Sequence, residues 1–149
     1  MNRSTPFVLA LVLGAFAVVS PLRAEEGEKT NLERIRDLER SVRELKQDLA
    51  AEKRNGDVVR GMIHAGTASA VHDISDGGLL IALAEMTIAS GIGAQLLAAP
   101  NSIVPHAFWF GEDQARYIVT VPAAEAGLVL AKMKGAGVPC ARIGTTGGG

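Results

Sequence analysis

Charge is divided so unevenly along this chain that one kind of structure cannot hold all of it. Residues 25–60 carry 19 of the 31 charged side chains, ten acidic and nine basic, while residues 61–149 carry only ten. The second density is about half the roughly one quarter usual for a globular domain. A solvated, charge-laced segment is therefore joined to an unusually apolar one. At 149 residues the whole suits one ordinary domain with short appendages. A formal net charge of −1 leaves no basic footprint for nucleic acid. The single cysteine, Cys140, excludes an internal disulfide framework and a multi-cysteine metal knuckle.

Residues 1–24 read as an address label. Arg3 is followed by Phe7–Val19, an uncharged apolar run, and Pro21-Leu22-Arg23-Ala24 precedes acidic Glu25-Glu26. The run falls short of the about 20 residues needed to cross a bilayer, so no stable membrane span is expected. Its flanks fit a secretory signal peptide, although Leu22 is larger than a cleavage site prefers. An uncleaved anchor or an over-extended start remains the alternative. Export to the periplasm follows from the signal-peptide reading.

Residues 25–53 read as a short charged helix. Thr30-Asn31-Leu32-Glu33 has the form of a capping box, in which Thr30 and Glu33 satisfy each other's backbone amides. Ile35, Leu38, Val42, Leu45 and Leu49 then recur by threes and fours, the seam spacing of a coiled coil. Asn55-Gly56 is expected to end the helix. Such a segment suits either a dimer or trimer zipper or a single amphipathic helix lying on a neighbouring surface.

From residue 54 onward short apolar runs are punctuated by glycine. Val58–His64 suits a helix ending near Gly66, Ser69–Ile74 a buried strand, and Leu79–Ser90 a helix apolar nearly all round, which belongs inside a layered fold. Gly93–Leu97 suits a short strand and Ala99–Pro105 a loop. Arg116–Val121 alternates as a strand should, Ala123–Lys134 is helical in composition, and Cys140–Ile143 completes the set. The fold class is therefore α/β with mixed layers. The chain closes on Thr145-Thr146-Gly147-Gly148-Gly149, a turn composition, so a closing strand is expected to be missing and a sheet edge open.

Two stretches could carry chemistry. In the first, Asp73 and Ile74 lead into Ser75-Asp76-Gly77-Gly78, a small turn opening a helix. Such a turn aims unpaired amides at an anion such as phosphate, with Ser75 or Asp76 able to cap the helix. The same residues also suit an ordinary capped turn. His72, Asp73 and Asp76 do not complete a divalent-cation site, so no metal site is expected. In the second stretch, Glu112, Gln114 and Arg116 stand at a strand entry, where they can orient a polar ligand or pair with one another. Phe108-Trp109-Phe110 just before them suits core or interface. No residue set reads as catalytic.

RNGDVVRGMIHAG, AVHDISDGGLLIALAEM, AFWFGEDQARYIVTVP and AGVPCARIGTTGG, in that order, resemble the C-terminal part of phosphoribosylformylglycinamidine synthase, large or synthetase subunit. The likeness runs from about Arg54 to Gly149, and Met1–Lys53 does not share in it. The resemblance implies the C-terminal α/β domain of an aminoimidazole-ribonucleotide-synthetase-like fold, partial and truncated at its C-terminus. It also implies an ATP- and Mg²⁺-dependent ligase of purine biosynthesis, which converts the formylglycinamide ribonucleotide to the amidine with ammonia derived from glutamine. Ser75, Asp76, Gly77 and Gly78 match the family's SDGG turn, expected on the ribonucleotide's phosphate side, and Asp73 belongs to the same motif. Glu112, Gln114 and Arg116 match its G-E-x-Q-x-R segment.

The family's N-terminal half, which holds much of the ATP site, has no counterpart in these motifs. The expectation is a fragment that binds neither ATP nor Mg²⁺ fully and is inactive alone. Its partners would be a small ribonucleotide and either the missing synthetase domain or further copies of itself. The family implies a cytoplasmic setting, against the export that residues 1–24 suggest. The rival reading is an exported, non-enzymatic protein that oligomerises through Ile35–Leu49 and carries a passive α/β scaffold.

Overall fold

A computed structural model describes the backbone of residues 6–11 and, with side chains, residues 30–100, 103–113 and 115–147. Nine regular elements follow one another: β1 (Pro6–Leu11), α1 (Asn31–His64), β2 (Ala70–Asp73), α2 (Gly78–Ser90), β3 (Ala94–Leu96), α3 (Pro105–Phe110), β4 (Tyr117–Pro122), α4 (Ala126–Gly135) and β5 (Ala141–Thr146). A short 3₁₀ turn, Ala123–Glu125, leads into α4. The strands form one sheet in the order β2-β4-β1-β5-β3, and every neighbouring pair is antiparallel.

β4 shows how the sequence sorts the layers. Its residues alternate between the two sheet faces, as strand geometry requires. Val119 and Val121 join Val59 and Met62 of α1 with Ala126, Val129 and Met133 of α4. Ile118 faces the other way, onto Leu79, Ala82 and Leu83 of α2 and Phe108 of α3. Helices thus cover both faces of the sheet in three layers, and the mixed α/β expectation is met.

Three expectations are corrected. Asn55-Gly56 does not end a helix, because α1 runs unbroken from Asn31 to His64. Asn55 is buried there, and a side chain at Gly56 would stand 3.5 Å from the Tyr117 hydroxyl, so packing against the body overrides the local breaker signal. The helix consequently crosses the boundary expected at residues 53 and 54. α2, although apolar all round, is an outer helix: Leu79, Ala82 and Leu83 are buried, while Ile88 is 82% exposed.

The third correction concerns residues 6–11. Instead of standing apart as the start of a leader, they form the middle strand of the sheet, pairing β4 through Phe7↔Val121 and β5 through Phe7↔Thr145. A strand in a sheet covered by helices on both faces reads as a continuous apolar run, the same signal an export leader gives. Both β4 and β5 are therefore paired on each flank, and the outer strands are β2 and β3. The rest of the expected leader, including its cleavage region, lies outside the described residues. Among the described residues no helix is long and apolar enough to cross a membrane.

Candidate functional site

The turn after β2 is fixed from both ends. Ile74 is buried and donates its N–H to the Arg116 carbonyl at 2.8 Å, which joins the end of β2 to the start of β4. Gly77 (φ 82°) and Gly78 (φ 71°) are both left-handed, a conformation that favours glycine. At Gly78 a second constraint applies. A side chain there would meet the Phe110 carbonyl carbon at 2.6 Å and the Trp109 oxygen at 2.9 Å, because the end of α3 packs on the start of α2.

That packing brings the two candidate stretches together. Asp73, Ser75 and Asp76 line one side of a cavity of about 330 Å³, and Glu112, Arg116 and Tyr117 line the other. The Gly77 N–H donates to Glu112 Oε1 at 2.8 Å, and the Gly78 N–H donates to the Ser75 carbonyl at 3.0 Å. Neither glycine amide is therefore free, contrary to the expectation of an open row of donors. The Gly77 amide has instead recruited an anionic oxygen from its own chain, which satisfies one of the donors a helix start leaves over.

Arg116 plays a different part from the one its position suggests. It is fully buried. Its Nη1 donates to the Gly111 carbonyl at 2.9 Å and to Asp113 Oδ2 at 3.2 Å, and its Nη2 to the Phe108 carbonyl at 3.2 Å. Burial lowers its pKa from the ordinary guanidinium value, while Asp113 acts against that shift. The guanidinium thus clamps the loop that carries Glu112. Ala115, the sole non-glycine residue with positive φ among the described residues (56°), marks the tight bend before it. Gln114 lies outside the described residues.

The remaining titratable groups stand elsewhere. His72 turns its Nε2 to Glu85 of α2 at 3.3 Å, while its Nδ1 lies against the carbonyl oxygen of Asp73. Cys140 is partly buried and its thiol is pushed up to about 11 by that burial, the opposite of an activated nucleophile. Among the described residues no three His, Cys, Asp or Glu side chains are grouped to hold a metal ion. With Arg116 turned inward, the described residues do not by themselves build a cradle for ATP or Mg²⁺.

Sequence reasoning missed the Arg116–Asp113 pair, whose spacing of three was legible, and the contribution of Tyr117. It also missed an apolar cavity of about 560 Å³ between β2, the second half of α2 and β3, lined by Val71, Leu83, Met86 and Ile92 among others. No local motif announces that cavity, because distant elements enclose it.

A three-layer antiparallel body with a glycine turn at the start of α2 defines the class. The chain belongs to the family described as AIR synthase related protein, C-terminal domain, whose model matches residues 13–149. The match reaches further toward the N-terminus than the four motifs. Within the family, the chain is 84% identical over 101 residues to phosphoribosylformylglycinamidine synthase subunit PurL of Bradyrhizobium sp. strain BTAi1, which covers 68% of this chain and 14% of that protein. The same subunit of Nitrobacter hamburgensis is 73% identical over the same length and with the same coverage. The resemblance of the motifs to part of this synthase is thereby established, and the chain spans about 14% of the length of these relatives.

Solved structures agree on the fold. T. maritima PurL complexed with ATP matches with a TM-score of 0.64 at 15% identity, over 100% of this chain and 23% of that one. T. maritima PurL complexed with FGAR matches with a TM-score of 0.58 at 20% identity, over 65% of this chain and 17% of that one.

Proposed function

We propose that this chain supplies the C-terminal wall of a phosphoribosylformylglycinamidine synthase site and does not turn over alone. In this reading the Ser75–Gly78 turn lies on the phosphate side of the ribonucleotide, and Asp73 and Ser75 offer polar partners beside it. ATP and Mg²⁺ would be held by the part of the synthase that the relatives carry outside the matched 14% of their length. The setting would be the cytoplasm, where that family's substrates are made.

The observation that carries the reading is the convergence of Asp73–Asp76 with Glu112, Ala115 and Arg116 on one cavity, beside the Gly77 amide that Glu112 holds. The Gly77 amide already holds a carboxylate oxygen at hydrogen-bonding distance, so a phosphate oxygen can exchange for it. The exposed apolar residues of α2 and its surroundings, Ile81, Ile88 and Phe110, suit a body that packs against further protein.

The test is calorimetric titration of the full chain with formylglycinamide ribonucleotide, with inorganic phosphate as the second ligand. Weak binding is expected for the unaltered chain, tighter binding for Glu112→Gln, which removes the competing charge, and none for Gly77→Val. Circular dichroism would establish that each variant stays folded. Absence of binding to the unaltered chain and to Glu112→Gln at millimolar ligand would refute the assignment of the turn. ATP-dependent amidine formation by the purified chain with nothing added would refute the claim that it is inactive alone.

A further inference from the structure

The first two thirds of α1 stand away from the body with an apolar seam that nothing described in this chain covers. Ile35, Leu38, Val42, Leu45 and Leu49 are between 49% and 67% exposed, whereas Val59 and Met62 further along the same helix are buried. The seam falls into heptad positions with Ile35, Val42 and Leu49 at a, and Leu38 and Leu45 at d. Two β-branched a residues facing leucine at d favour two parallel strands over three or four.

Charge agrees with that geometry. In a parallel, in-register pair each g residue faces the e residue of the next heptad on the other helix. Arg34 would then face the partner's Glu39, and Asp48 the partner's Lys53, so each helix makes two kinds of attractive pair. The third such position sets Ser41 against the partner's Lys46 and is neutral. An antiparallel pair centred on the same seam offers one attractive kind, Glu39 with the partner's Lys46.

Ordering costs are met in advance at both ends. Thr30 and Glu33 form a complete capping box, and the C-terminal turns are pinned to the sheet through Val59 and Met62. Helix nucleation, the step that makes short isolated helices marginal, is therefore already done.

We propose that residues 32–53 of α1 pair with the same residues of a second copy of this chain as a parallel two-stranded coiled coil. The apolar seam from Ile35 to Leu49 runs about 21 Å at 1.5 Å per residue. Parallel pairing sets both α/β bodies at the same end of the rod.

The test is sedimentation equilibrium of the full chain across a range of concentration. The expected mass rises from 15.5 kDa toward twice that value, falls back to the single-chain mass in Val42→Asp, and is kept in Ile88→Asp, which alters the other exposed apolar face. Val42→Asp should keep the near-ultraviolet circular dichroism of the folded body, because Val42 belongs to neither buried cluster among the described residues, while its thermal midpoint should lose the concentration dependence that dimerisation gives the unaltered chain. In a Cys140→Ser background, Leu38→Cys should oxidise to a disulfide-linked dimer with itself. A mixture of Leu38→Cys and Leu49→Cys should not cross-link preferentially between the two variants. A single-chain mass at every concentration, a threefold mass, a dimer that survives Val42→Asp, or preferential 38-to-49 cross-linking would each overturn the proposal.

Discussion

The carboxylate of Glu112 accepts a hydrogen bond from the backbone N–H of Gly77 at 2.8 Å, across 35 residues of sequence. The contact closes the start of α2 against the loop after α3 and sets an exposed carboxylate at the helix start. It acts as a helix cap supplied from a distance, since Gly77 has no side chain of its own to do so.

Replacing that cap separates its charge from its geometry. Glu112→Ala should lower stability by about 1 kcal/mol, the usual worth of a cap. Glu112→Gln keeps an acceptor oxygen and should lose less. Urea denaturation followed by far-ultraviolet circular dichroism measures both, and equal losses would show that the hydrogen bond contributes nothing.

Gly78 and Gly61 should respond to alanine with opposite signs. At Gly78 an alanine meets the fixed backbone of Trp109 and Phe110 and must hold φ near 71°, so a loss of about 2 kcal/mol or more is expected. At Gly61, inside α1, a methyl group meets nothing within 4 Å, and a gain of about 0.5–1 kcal/mol is expected. Paired denaturation curves decide the matter.

These cases show what the residues disclosed and what they hid. The strand at Arg116–Val121 and the glycine turn were legible because periodicity and turn chemistry are local. α1 was misread at Asn55-Gly56 because the partner that tolerates those residues, Tyr117, is some sixty positions away. The same limit hid Arg116. Its place in a G-E-x-Q-x-R segment suggests a ligand contact, but full burial and two backbone carbonyl partners make it a structural clamp. Residues 6–11 were ambiguous for another reason, since a central strand and an export leader are both unbroken apolar runs.

Leu9→Pro tests the role of β1 by backbone chemistry alone. Leu9 lies in register with Val119 of β4 and Arg142 of β5, in the middle of the sheet. Proline there removes a ladder donor and is hardly tolerated in a central strand. The variant should lose cooperative unfolding or precipitate, as should a chain lacking residues 1–24. An unchanged thermal midpoint in either would show that the sheet stands without β1.

Cys140 should be protected from alkylation in a pH-dependent way. Burial holds its thiol protonated up to about pH 11, against about 8.5 for a free cysteine. Because the group's folded pKa is the higher, its contribution to stability is complete below about pH 8.5 and declines as pH rises toward 11. Iodoacetamide at pH 8 should label the folded chain slowly and the urea-unfolded chain fast, with the gap closing toward pH 11. Equal rates at pH 8 would place the thiol in water.

Removing Arg116 should loosen the site before it unfolds the chain. Its guanidinium bridges the carbonyls of Phe108 and Gly111 and the carboxylate of Asp113, and methionine of similar length leaves all three without that donor. Breaking a buried pair costs about 3–5 kcal/mol, but Asp113 is 35% exposed and regains water, so about 2–3 kcal/mol is the expected loss. Lysine should rescue little, since one ammonium cannot reproduce a planar fork aimed at three acceptors. Trp109, the single tryptophan, stacks edge-on with Phe108 at 4.7 Å and reports on this loop. Its emission in Arg116→Met should shift at urea concentrations where circular dichroism is still native, whereas in the unaltered chain the two signals should move together. Coincident transitions in both proteins would mean that Arg116 supports the fold as a whole and not the Glu112 loop in particular.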